Sequence, residues 1–203
     1  MPKEKEDRRT LYSKKMIRES LYELMKEKPI NKISVTEICA RADVNRSTFY
    51  AYYTDIYDLN QKIIKEFFSL QKKVIKHIKD SIKVKTALDA FTYEDFYEIS
   101  YYYIKTVAEN TDLYKFIFNQ NTNTSVHASF GKVTYHTIRD VLNPIIDESR
   151  AEELKQAYTF VAGGTTALIM KWIEAGCDTP IEKISSNLAK YYYGTFKAHN
   201  MQV

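Results

Sequence analysis

The chain has 203 residues, 44% of them hydrophobic and 28% charged, with only 5 Gly and 4 Pro; this excludes collagen-like, low-complexity and disordered chains and allows one medium domain or a small domain joined to a larger one. The formal net charge is +4, and the segment 1–18 carries seven basic side chains (Lys3, Lys5, Arg8, Arg9, Lys14, Lys15, Arg18) against three acidic ones, a balance that suits a nucleic-acid contact or an ordinary solvated helix face. No apolar run of roughly 18 residues, no apolar leader and no CxxC spacing occur, so no membrane contact, disulfide framework or metal site is expected and a reducing bacterial cytoplasm is the expected setting.

Apolar residues recur at helical spacing along nearly the whole chain, which predicts an all-α fold of about nine helices. The first helix is expected over 9–28, burying Leu11, Ile17, Leu21, Leu24 and Met25 and stopping before Pro29. Ser34 and Glu37 spell a capping box that opens a two-turn helix with Val35, Ile38 and Ala42 inward. Asp43 sits at a break where a left-handed backbone is tolerated, and Asn45 is placed to cap a third helix that turns Phe49 and Tyr53 inward. Asp55 and Asp58 start a long connecting helix through Leu59, Ile63, Phe67, Leu70, Val74 and Ile78.

Beyond a loop at 82–92, Thr92 with Asp95 caps a tyrosine-rich helix to about 110, and a short helix covers 112–120. A polar loop at 119–125 leads to a helix over 126–147 that kinks or ends at Asn143-Pro144. Ser149 with Glu152 caps the eighth helix, to 175; Thr179, Pro180 and Glu182 read as N-cap, N1 and N3 of the last, to about 199. The expected organisation is an N-terminal three-helix helix-turn-helix domain, 1–60, and a larger helical domain, 61–203, for dimerisation and effector binding.

Two short helices joined by a tight turn and braced by a longer first helix have the geometry that places a recognition helix in the major groove. The second short helix presents Arg46, Ser47, Thr48, Tyr50 and Tyr52 behind its cap Asn45. Arg46 suits guanine O6 and N7, and the hydroxyls suit phosphate oxygens. This segment, from Ile33-Ser34-Val35-Thr36-Glu37-Ile38-Cys39 through Val44-Asn45-Arg46-Ser47-Thr48-Phe49-Tyr50-Ala51-Tyr52-Tyr53, resembles the DNA-binding domain of TetR-family regulators. The resemblance covers roughly residues 9–60 and implies that Thr36, Thr48, Tyr50 and Tyr52 take the family's groove and phosphate contacts. Asp43 stands where the family usually has Gly, and Ile56 stands where a phosphate-binding Lys is common, leaving that position without its cation.

The segment 160–176, with Gly163-Gly164 and Lys171-Trp172-Ile173, is similar to the C-terminal domain of Firmicutes-type TetR members. Adjacent glycines inside a helix cost about 1 kcal/mol each relative to Ala, so another backbone is expected close by, either within the chain or across a dimer seam. The family's architecture, which dimerises through its last two helices, implies the seam. Phe160, Gly163, Gly164 and Ala167 would then meet Leu188, Tyr191, Tyr192 and Thr195. The aromatic residues Tyr97, Tyr101, Phe118, Tyr135, Tyr158 and Trp172 form the candidate pocket for a small-molecule effector, although each taken by itself suits a core position better than a ligand contact.

No HExxH, GxSxG, GxxxxGK[ST] or GxGxxG motif is present, and none of His77, His127, His136 and His199 has a Glu three residues before it; neither an enzyme nor a bound cofactor is therefore expected. The reading is a homodimeric, sequence-specific regulator of a double-stranded DNA operator, a repressor released by a small-molecule effector. The alternatives are a TetR-like activator without such a ligand, and an all-α adaptor whose helix-turn-helix packs on protein. An adaptor would lack the steep salt dependence of a DNA binder.

Overall fold

A computed structural model describes residues 7–81, 90–118, 124–142 and 151–198, all of it helix, turn or connection. The helices among these residues are α1 (Arg8–Glu27), α2 (Val35–Ala42), α3 (Arg46–Tyr50), α4 (Ile56–Ser81), α5 (Tyr93–Glu109), α6 (Thr111–Phe118), α7 (Thr124–Leu142), α8 (Ala151–Glu174) and α9 (Ile181–Ala198). A 3-10 turn, Ile30–Lys32, follows Pro29.

Local chemistry explains most of the boundaries. At the start of α2 the Ser34 hydroxyl accepts the Glu37 N–H at 3.2 Å while the Glu37 carboxylate accepts the Ser34 N–H at 2.9 Å, so two otherwise orphaned donors are satisfied reciprocally. Thr92 and Asp95 repeat the arrangement at α5, and Asp55 Oδ1 accepts the Asp58 N–H at 2.7 Å at α4. Three expectations shift. Asn45 holds the N-cap backbone position of α3, but its side chain makes no cap bond. At α9 it is Pro180 whose carbonyl accepts the first helical N–H groups, from Lys183 and Ile184, while the Thr179 hydroxyl turns to Asp178. Thr124 and Ser125, expected in a loop, already belong to α7. The expected break at Asn143-Pro144, the Ser149 cap and His199 lie outside the described residues.

Ile17, Leu21, Met25, Ile38, Phe49 and Leu59 close a core under α1–α3 and the first turns of α4. Fully burying a side chain such as Phe49 contributes about 1.5–3 kcal/mol, so a unit of this size depends on several such residues. Leu11, expected in that core, is 52% exposed and lies instead at the edge of a wide cleft beside α1. Helix α4 then continues into the second core, touching α5, α6 and α7, while α5 lies along α9 and α7 along α8.

Candidate nucleic-acid interface

Asp43 supplies the turn between α2 and α3 at φ 52°, ψ 47°. This left-handed backbone is one that Asp adopts at lower cost than most residues other than Gly, which explains how the chain manages without the usual glycine. Phe49, fully buried and edge-on to Tyr50 at 5.6 Å, fixes the rotation of α3 about its axis. Asn45, Arg46, Ser47 and Tyr50 are thereby turned to solvent, Thr48 is half-buried, and Thr36 is exposed on α2. Arg46 Nη2 donates to the Tyr50 hydroxyl at 3.4 Å, so the guanidinium lies one helical turn from its origin on an exposed ring.

Tyr52 is placed differently from the other hydroxyl residues. Its hydroxyl donates to Thr10 Oγ1 at 3.4 Å, Lys14 Nζ stands 5.0 Å above its ring, and its carbonyl accepts from Lys62 Nζ at 2.8 Å. The start of α1 therefore forms one surface with the end of α3, and Thr10 joins the candidate contacts that sequence reasoning did not name. Ile56 is buried. Lys62 does not replace the missing cation, since it is occupied by Tyr52 O and by the Asp58 carboxylate at 2.9 Å. Lys28 pairs with Glu37 across α1 and α2. That ammonium, with the Ser34 hydroxyl and N–H, lowers the Glu37 carboxyl to about 2.

The expected seam residues divide. Phe160 is 71% exposed, Gly163, Gly164 and Ala167 share its outward face of α8, and Tyr191 on α9 is exposed beside half-exposed Thr195. Among the described residues outside its own helix turn, a Cβ built on either Gly163 or Gly164 meets no atom within 4 Å, so no described backbone packs there. Leu188 and Tyr192 instead face their own chain: Leu188 is buried, and the Tyr192 hydroxyl bonds Thr165 Oγ1 at 2.7 Å. Packing of α9 on α5 and α8 takes up that face.

The six aromatics of the candidate pocket do not gather around one cavity. A cavity of about 80 Å3 opens among Val74 and Ile78 of α4, Phe96 and Ser100 of α5, Ile138 of α7 and Phe196 of α9, and none of the six expected aromatics lines it. Tyr97 and Tyr101 stack on each other with centroids 6.0 Å apart, both half-exposed. Phe118 and Tyr158 fill the core, and Tyr135 meets Tyr158 edge-on. Trp172 is a latch: its indole N–H donates to Thr179 O at 2.9 Å and ties the end of α8 to the turn before α9. A wide cleft of about 1470 Å3 lies between α1 and the helices α6 and α8, and the ion-paired Arg18 of α1 and Glu66 of α4 line it.

A family model described as bacterial regulatory proteins, tetR family, matches residues 17–62, and one described as a transcriptional regulator C-terminal region matches residues 94–194. The chain belongs to the TetR family. It is a helix-turn-helix transcriptional regulator and not an enzyme. Solved structures agree in fold. The fatty acid degradation regulator FadR from Bacillus halodurans is 14% identical with a TM-score of 0.58, over 90% of this chain and 95% of that one. FadR from Bacillus subtilis, in complex with stearoyl-CoA, is 14% identical with a TM-score of 0.54, over 88% and 96%. The dihydroxyacetone kinase operon activator DhaS is 18% identical with a TM-score of 0.53, over 92% and 97%. No protein of curated function matches the sequence. Among the described residues no helix is long and apolar enough to cross a membrane.

Proposed function

We propose that this TetR-family regulator represses transcription as a homodimer on a pseudo-palindromic operator and is released by a small effector. In this reading residues 1–60 bind DNA and residues 61–203 dimerise and sense. The observation that carries it is the outward face of α3, where Asn45, Arg46, Ser47 and Tyr50 stand free of the core while Phe49 anchors the helix. Arg46 takes the base-reading role, and Thr36, Thr48, Tyr50, Tyr52 and the Thr10–Lys14 edge of α1 take phosphates. One such short helix offers few base contacts, so two copies are needed for useful specificity. The exposed face of Phe160, Gly163, Gly164, Ala167, Tyr191 and Thr195 supplies the means of pairing.

Effector control follows from the course of α4, which leaves the DNA-binding unit and walls the cavity with Val74 and Ile78. A ligand that favours one tilt of α4 changes the spacing of the two recognition helices, and the cleft beside α1 leaves room for that swing. Selection of bound duplexes from random DNA, followed by titration in increasing salt, tests the proposal. An inverted repeat whose affinity falls steeply with salt is expected; selected sequences without a repeat, or binding insensitive to salt, overturn it.

A further inference from the structure

The cavity beside α4 takes its ligand class from a polar group in its wall that has nothing to bond among the described residues. None of the described residues that line it is a Lys, Arg, His, Asp or Glu. The polar side chains that line it are Gln71, Ser100, Tyr103, Thr134, Thr137 and Tyr192. Gln71 Nε2 donates to the Tyr114 hydroxyl at 2.8 Å, Thr137 Oγ1 donates to Val133 O at 2.7 Å, and the Tyr192 hydroxyl is held by Thr165 at 2.7 Å. Tyr103 and Thr134 bond each other. Ser100, 1% exposed in the middle of α5, is different: its Oγ has no hydrogen-bond partner among the described residues, not even the carbonyl one turn back that helical serines commonly use. A buried hydroxyl left unsatisfied is destabilising, and a ligand offering an acceptor would recover that loss.

Charge and size narrow the class further. An ionised carboxylate or phosphate placed among these walls would lose its hydration and gain no counter-ion, which disfavours anions strongly. The volume of about 80 Å3 is several times that of one water site yet well under a cavity that holds benzene. Resting on the reading of this cavity as the effector site, we propose that it takes a short, uncharged, mainly aliphatic molecule with one hydrogen-bond acceptor, such as a short ketone or ester, whose oxygen accepts from the Ser100 hydroxyl. A long acyl thioester of coenzyme A fits neither the volume nor the uncharged wall.

The test is calorimetric titration of the full-length protein with acetone, acetate and stearoyl-CoA, alongside operator binding in the presence of each. Acetone should bind and acetate should not. Ser100→Ala should weaken the ketone roughly 3- to 10-fold without lowering the unfolding temperature. Ile99→Trp, which fills the cavity from a half-buried position, should abolish binding and serves as a second, independent variant. Tighter binding of acetate or stearoyl-CoA than of the ketone, an unchanged ketone affinity in Ser100→Ala, or no ketone binding at all overturns the proposal. If the ketone binds through Ser100 but leaves operator affinity unchanged, the ligand class stands and the effector role of the cavity falls; if stearoyl-CoA binds and releases the operator, the effector role stands and the ligand class falls.

Discussion

Gln71 of α4 donates from Nε2 to the Tyr114 hydroxyl of α6 at 2.8 Å, with both side chains buried and Phe67 edge-on to the Tyr114 ring at 5.4 Å. This bond fastens the connecting helix to the C-terminal body beside the cavity that Gln71 also lines. Burial raises the Tyr114 hydroxyl far above the ordinary phenol range, so it remains protonated and can accept from Gln71 while keeping its own proton. Tyr114→Phe leaves the Gln71 amide without its acceptor and should cost about 1–3 kcal/mol in urea unfolding. Adding Gln71→Leu should restore part of that loss, because removing both partners of a buried bond is cheaper than removing one. A single variant as stable as the wild type would show that the bond does not hold α4.

The Arg46 and tyrosine contacts should separate by their effect on sequence preference. Arg46→Ala should relax discrimination at one base pair by about 1–3 kcal/mol. Tyr50→Phe and Tyr52→Phe should weaken all duplexes alike, since phosphate contacts position without reading sequence. Tyr52→Phe also releases Thr10, so Thr10→Val should reproduce part of its effect. Fluorescence anisotropy on a panel of operator variants measures each case, and a uniform loss for Arg46→Ala would assign that side chain to the backbone.

Acid should loosen the start of α2. The Glu37 carboxyl falls from its ordinary value near 4.5 to about 2, first through its bond with Lys28 and then through Ser34. A carboxyl depressed on folding stabilises the native state above its unfolded value and loses that contribution as pH falls through the folded one. The Glu37 contribution is therefore complete above about pH 4.5 and lost between there and about pH 2. Glu37→Gln should be less stable than wild type at neutral pH and should converge with it across that window, followed by circular dichroism. Ser34→Ala, which removes the hydroxyl cap, should cost about 0.5–2 kcal/mol at pH 7.

Both capping boxes, the left-handed Asp43 and the inward turn of Phe49 were legible in the sequence because each depends on residues within a few positions of one another. The cavity was not. Helical spacing says that Tyr158 and Phe96 face inward, but only the packing of α4, α5, α7 and α9 decides that a void lies next to Phe96 and away from Tyr158. The latch at Trp172 was not legible for a related reason: its partner, Thr179 O, is a backbone atom beyond the helix end, invisible to any side-chain pattern. Trp172→Ala should therefore destabilise the chain by about 3–5 kcal/mol in place of a selective loss of ligand response.

Gly163 offers a test of pairing whose sign differs between a lone chain and a dimer. In a single chain a Cβ at Gly163 meets nothing within 4 Å, so alanine there should only improve the helix, by up to about 1 kcal/mol relative to Gly. If a second copy packs on the exposed face of Phe160, Gly163, Gly164 and Ala167, the same methyl group separates two closely apposed backbones and weakens association. Gly163→Ala should consequently raise α8 helicity in the monomer at high dilution while lowering the dimer fraction, and Phe160→Glu should lower that fraction further by placing a charge in the seam. Sedimentation velocity across a dilution series reads the association, and circular dichroism at the lowest concentration reads the helix. A Gly163→Ala chain that gains helicity yet dimerises as tightly as wild type would place the seam on another face, and the spacing of the two recognition helices would have to be derived from that face instead.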